Sequence, residues 1–461
     1  MGRRKSGLLG RIIYGLNILA ALLLLLAYLV PYIPPSGFPS ISLIGLAVSP
    51  LIVINLLFFL YWLVGMRRQM VLSGVVLALG FFLFGPLYQF GSNTEMALDA
   101  YERAQAAYPS GQDGADIEAH AARLDQLEAV YDKVAGHLGA KPHEIALVEN
   151  ATIAWRQAFY SFPLTKGQRI LTCESEYSSN YLAYLQRAKR DGVKIDVIPS
   201  DDAGALDLDA LEAAIGPDVG LISVTWIPTS GGLVNPAAGV GKIARKHGIP
   251  YLLDACQAVG QMRIDVEALG CDFLSATGRK FLRGPRGTGF LYVSERWIER
   301  IEPIMIDLYS AEWVSRDTYD LRKDARRFED WENAYALRAG LGAAIDYADG
   351  IGIDAIEARV KLLADHTRAL IDATQGVHVR DNGHERCGIV SLEIEGHDPG
   401  ALIKAMAEKG FAVGTSSPSS TRLDFERRGL PTLMRIAPHY YNTEDEITAC
   451  VETLDGLIRN A

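Results

Sequence analysis

Cysteine is scarce in this chain: five among 461 residues (Cys173, Cys256, Cys271, Cys387 and Cys450), scattered, odd in number and without CxxC spacing. That excludes a disulfide framework and gives no zinc-site signal, so the thiols read as small buried hydrophobes. Acidic residues are missing altogether from residues 1–92, whose only charges are Arg3, Arg4, Lys5, Arg11, Arg67 and Arg68. From residue 93 onward the chain carries 39 basic and 55 acidic side chains, a formal balance of −16. So acidic a part argues against a nucleic-acid partner, because phosphate contacts need a basic face. The chain is too long for one ordinary domain and joins two physically different materials.

The acid-free part holds three apolar runs, Ile12–Ile33, Ile41–Val64 and Met70–Tyr88, parted by Pro34-Pro35-Ser36-Gly37 and Gly65-Met66-Arg67-Arg68-Gln69. Each approaches the ~20 residues a helix needs to cross a ~30 Å hydrocarbon layer. The first is too long, and too closely followed by others, for a cleaved signal peptide. The expectation is a leader over 1–92 with three transmembrane helices, in contact with a lipid bilayer through residues 12–88. Arginines and lysine ahead of the first run and between the second and third place the N-terminus in the cytoplasm, and so residues 91–461 outside it.

The rest is organised around Tyr251 to Phe290. Apolar Tyr251-Leu252-Leu253 stops at Asp254, as a buried parallel strand does when it delivers an acid at its carboxyl end. A second run, Cys271 to Ala276, ends at Thr277-Gly278-Arg279-Lys280. A carboxylate and a lysine at neighbouring strand ends, followed by a Gly-rich turn, suit pyridoxal 5'-phosphate (PLP). Lysine offers an amine for a Schiff base, and the acid keeps the pyridine nitrogen protonated.

This stretch resembles the class V aminotransferase family of fold-type I PLP-dependent enzymes, which includes cysteine desulfurases and isopenicillin-N epimerase-like proteins. The resemblance covers about residues 93–461. It implies an α/β fold: a mostly parallel sheet with flanking helices over 93–302 and a small α+β domain over 303–461, behind the three transmembrane helices. By motif it makes Lys280 the Schiff-base lysine, Asp254 the pyridine partner and Gln257 a donor to the phenolic oxygen. Ala151 and Thr152, at a strand-to-helix turn after Ile145–Val148, match the phosphate turn, as a helix amino terminus can. Tyr177 stands where desulfurases carry a stacking histidine, and Thr229 where relatives place an asparagine. Thr277 and Arg279 add phosphate donors, and Arg286 lies in the glycine turn that approaches the partner subunit's cofactor, which implies a homodimer. Arg435, in Met434-Arg435-Ile436-Ala437-Pro438, matches the segment that forks onto a substrate carboxylate; His439 reads as structural.

The loop Gly414 to Thr421 lacks the cysteine that receives sulfur in desulfurases, so persulfide chemistry of that kind is set aside. Transamination, epimerisation and C–S lysis of an amino acid stay open. The alternative is an impaired, membrane-anchored binding or scaffold protein. The leader resembles those ahead of some endonuclease/exonuclease/phosphatase domains. The first element matching the enzyme family is a helix from Thr94, without the strand that usually precedes it, which suggests a fusion to a truncated enzyme domain. A PLP domain outside the cytoplasm is also stranded from its cofactor.

Overall fold

The computed structural model describes residues 8–29, 48–65, 67–83 and 115–459. The Pro34–Gly37 exit, the Gly91-Ser92 junction and the helix from Thr94 lie outside these described residues. The chain divides into two compact units, residues 1–95 and 96–461.

In the first unit, helices α1 (Leu8–Leu29), α2 (Val48–Val64) and α3 (Met70–Leu83) pack on one another. Their shared interior is partly polar. Ser73 Oγ donates to Asn17 Oδ1 at 2.8 Å, and Asn55 Nδ2 donates to the Ala20 and Leu51 carbonyls at 3.1 and 2.9 Å. These three polar side chains are fully buried, whereas Leu16, Leu19, Leu22 and Leu57 are exposed.

Among the described residues no helix is long and apolar enough to cross a membrane. Over the described residues, the 17 residues of α2 and the 14 of α3 cover about 25 and 21 Å, less than the ~30 Å hydrocarbon layer. The longer α1 includes Arg11 and Asn17. The expectations of three transmembrane helices, of bilayer contact through residues 12–88 and of a multi-pass location with the C-terminal part outside the cytoplasm are corrected on this finding.

The second unit is built on a sheet of β1 (Ile145–Val148), β2 (Arg169–Cys173), β3 (Lys194–Ile198), β4 (Val219–Thr225), β5 (Tyr251–Asp254), β6 (Phe273–Thr277) and β7 (Gly289–Val293). Its order is β1-β7-β6-β5-β4-β2-β3, with β7 antiparallel to both neighbours and the other pairs parallel. Every residue of β1, β5, β6 and β7 is buried. That is the environment their unbroken apolar runs require, with helices on both faces. Among those helices are α4 (Ala115–Leu138), α5 (Ala151–Ser161) and α6 (Ser178–Asp191). Val130, Tyr131, Val134 and Leu138 of α4 fall on one helical face and join the main core.

Further along come a hairpin, β8 (Ala311–Ser315) with β9 (Thr318–Leu321), and a second sheet. This sheet comprises β10 (Val377–Val379), β11 (Val390–Ile394), β12 (Gly414–Ser416) and β13 (Leu433–Ile436), ordered β10-β11-β13-β12 and wholly antiparallel. Its register sets Ser391 on one side and Gly414 on the other directly opposite Arg435.

Candidate active site

Pairing of β5 with β6 puts Asp254 opposite Ser275, so Asp254 and the Thr277-to-Lys280 turn open at the same edge of the sheet. A cavity of about 680 Å³ lies there, within the range of ligand sites. Asp254, Gln257, Thr277, Arg279 and Lys280 line it from the strand ends. Ala151, Thr152, Tyr177, Thr229 and Arg286 line it from the surrounding turns. Arg435 is not in the lining. It reaches the wall through Thr229, donating to its carbonyl at 2.8 Å and its hydroxyl at 3.0 Å.

Asp254 is buried, and its two oxygens have separate donors: Asn180 Nδ2 on Oδ2 and the Cys256 N–H on Oδ1, both at 2.9 Å. Burial pushes its pKa up, while these donors and Lys280 hold it down. A protonated ring nitrogen bound against it would favour the carboxylate. Lys280 is shifted the other way: burial lowers its pKa, and Arg279 and Arg435 add to that. The Cys256 thiol, pushed up to about 12 by burial and by Asp254, is uncharged at neutral pH and does not stabilise an ammonium there.

Behind Asn180 lies a second buried carboxyl, Glu176. Its Oε1 accepts from Asn180 Nδ2 at 3.0 Å, from the Tyr177 N–H at 2.8 Å and from the Thr225 hydroxyl. Oε2 accepts from Thr172 at 2.8 Å and Tyr184 at 3.1 Å. Burial raises its pKa, opposed by the bonds from Thr225, Asn180 and Thr172. Asn180 thus spends its amide group between two carboxyls and fixes Asp254 in place.

At the phosphate end, Asn150 caps α5 by accepting from the Ile153 N–H at 3.0 Å. Among the described residues the N–H groups of Ala151 and Thr152 have no acceptor, so an anion is satisfied there by free donors and the helix dipole. Thr277 lines the cavity but donates its hydroxyl to the Thr288 carbonyl at 2.9 Å. Thr229 Oγ1 accepts from Gln257 Nε2 at 2.9 Å as well as from Arg435, which leaves its proton free to donate.

Asn180, Cys256 and Arg156, none of them picked out from the sequence, also line the cavity. Two had a helical signal. Arg156 follows Thr152 by four residues and Asn180 follows Tyr177 by three, spacings that share a helix face.

A buried acid for a pyridinium, a lysine whose pKa burial lowers and free N–H groups for a phosphate are the three things PLP needs. A family model described as aminotransferase class-V matches residues 95–450. The chain belongs to that family. Its cofactor is pyridoxal 5'-phosphate. Among curated relatives, a probable cysteine desulfurase of Methanothermobacter thermautotrophicus is 32% identical over 337 residues, 72% of this chain and 84% of that one. One of Xylella fastidiosa is 31% identical over 333 residues, 72% and 80% of the two chains. The apo structure of a cysteine desulfurase from Thermococcus onnurineus NA1 superposes with a TM-score of 0.74 at 25% identity, covering 80% of this chain and 92% of that one. Residues 10–87 match a separate family model described only as a domain of unknown function.

These relatives overturn the reading that set persulfide-forming desulfurase chemistry aside. That reading weighed a missing loop thiol and the replacement of a histidine by Tyr177.

Proposed function

We propose that the chain breaks the Cβ–S bond of cysteine or a close sulfur-bearing analogue, as a C–S lyase of the desulfurase type. One observation carries the reading. Arg435 is part-buried, has no acidic partner among the described residues and donates to Thr229 in the cavity wall. An arginine so placed is a receptor for an α-carboxylate, and the relatives' names narrow the amino acid to cysteine.

Bound PLP supplies an electron sink that weakens the bonds at the Cα of an amino acid. The protein's own groups do the rest. Asp254, oriented by Asn180 and the Cys256 N–H, holds the proton on the ring nitrogen. The Ala151 and Thr152 N–H groups, with Arg279, would hold the phosphate, and Arg286, expected to reach the partner subunit's cofactor, lines this same cavity. Thr229 and Gln257 would serve the phenolic oxygen, and Tyr177 would offer an aromatic face to the ring. Arg435 fixes the carboxylate, and Lys280, which burial favours as a neutral amine, takes and returns the proton at Cα.

Full-length protein supplied with PLP, L-cysteine and a reducing thiol is expected to release sulfide and alanine in equal amounts: one equivalent of the thiol takes the sulfur as a persulfide when Cβ–S breaks, and a second reduces that persulfide to sulfide and is itself oxidised to the disulfide. Lys280→Ala is expected to lower that rate about 10³-fold. Formation of a keto acid or a D-amino acid without sulfide contradicts the proposal.

A further inference from the structure

We infer that Asp381 is a positioning residue for Arg435, setting the guanidinium that receives the substrate carboxylate; the inference rests on the reading of Arg435 given above. Asp381 lies between β10 and β11, outside the cavity lining, and its side chain is completely buried. Its Oδ1 accepts three bonds, from the Gly232 N–H at 2.9 Å, the Ser391 N–H at 2.9 Å and the Ser391 hydroxyl at 2.7 Å. Oδ2 accepts from Arg368 Nε at 2.9 Å, and Arg368 in turn donates to the Cys387 and Ile389 carbonyls at 2.9 and 3.0 Å.

The partners of Asp381 lie on both sides of Arg435. Ser391 is its direct cross-strand neighbour in the β11–β13 pair. Gly232 ends the turn Thr229-Ser230-Gly231-Gly232, whose first residue accepts both bonds from the Arg435 guanidinium. A ring of contacts closes: Asp381 to Gly232, along the turn to Thr229, to Arg435, across the sheet to Ser391 and back to Asp381. The two glycines show how tight it is. A Cβ on Gly232 would come within 2.8 Å of Asp381 Oδ2 and 2.6 Å of Arg368, and one on Gly231 within 3.0 Å of Ser391 Oγ. Only a turn without side chains lies this close to the carboxylate.

A buried ion pair by itself says little about stability. This one links the strand that carries the arginine to the turn the arginine grips, and misplacement of a group that only holds the substrate weakens binding. The Gly232 carbonyl also accepts from the Cys387 N–H at 2.7 Å, so the turn stays attached when the Asp381 bond is lost. What changes is where Thr229 sits.

The test is a titration of the full-length, PLP-loaded protein with L-cysteine and with cysteamine, which lacks the carboxylate, read by visible absorbance. Asp381→Asn is expected to weaken L-cysteine binding and raise its KM about tenfold, with kcat and cysteamine binding unchanged. Added to Arg435→Gln, it is expected to have no further effect. Equal weakening of both ligands, no weakening of either, or an additive double variant overturns the positioning role. Should Asp381→Asn fail to fold because Arg368 loses its partner, Ser391→Ala removes one donor alone. A loss of about threefold for L-cysteine only then supports the inference, and its absence refutes it. If L-cysteine yields no sulfide, the proposed reaction fails, while L-alanine titrated against ethylamine still tests Asp381.

Discussion

His439 is held neutral by its neighbours. Its ring stacks between Phe281 and Tyr441, with centroids at 5.4 and 4.7 Å. Nε2 meets the Phe281 carbonyl at 2.9 Å and Nδ1 accepts from the Tyr440 N–H at 3.0 Å, so a second ring proton would face a donor. Burial, helped by Arg283, pushes the pKa down to about 4, against the pull of Phe281. The folded value lies below the unfolded ~6.5, so this group's stabilisation is complete above ~pH 6.5 and is lost as the pH falls towards 4. The shift corresponds to about 3 kcal/mol. The urea midpoint of the natural chain is expected to drop through that window, and His439→Gln to flatten the profile; parallel profiles contradict the assignment. At this scale the sequence was uneven evidence. Asp254, Gln257 and Lys280 were legible because a short contiguous motif places a carboxylate, an amide and an amine where one chemistry needs all three. Asn180 was not: an asparagine near a helix start reads as a cap, and its bond to Asp254 crosses 74 positions.

Among the elements, β7 controls the phosphate turn by contact. A Cβ on Gly289 would lie 2.6 Å from the Asn150 carbonyl carbon and 2.7 Å from its Cα, both backbone atoms that cannot swing away. Gly289→Ala is therefore expected to displace the turn that presents Ala151 and Thr152 and to weaken PLP binding at least about tenfold. Absorbance titration of the apo protein with PLP reads this, and unchanged affinity refutes it. Strands buried on both faces were plain in the sequence as apolar runs, and β1 and β5 stand at the expected residues. The strand expected from Cys271 starts only at Phe273. Asp272 is used instead to accept from the Tyr251 N–H at 3.0 Å and from Arg296. β3 gave no signal, because Lys194-Ile195-Asp196-Val197-Ile198 sits at the sheet edge with only its last residue buried. β12 begins at Gly414, where pairing with Arg435 decides it and local hydrophobicity does not.

At the scale of the molecule, charge and chemistry divide at the same place. Residues 1–92 hold no acid, while every residue of the candidate site, from Glu149 to Arg435, lies in the unit spanning 96–461. The two family matches, 10–87 and 95–450, do not overlap. The first unit also has an organisation of its own, with Asn17 bonded to Ser73 and Asn55 to Ala20 in its interior. Its apolar runs announced helices and said nothing of these polar contacts, because Asn17, Asn55 and Ser73 are 18 or more positions apart and meet only once the helices pack. If the chemistry belongs wholly to the second unit, a chain lacking residues 1–92 keeps the visible PLP band, its reduction onto Lys280 by borohydride, and a rate of sulfide release within about twofold of the full chain. The same chain keeps the tenfold response of L-cysteine binding to Asp381→Asn, since all members of that ring lie between Thr229 and Arg435. Loss of the band on deletion, with the shortened chain still folded by circular dichroism, shows instead that the first unit completes the site.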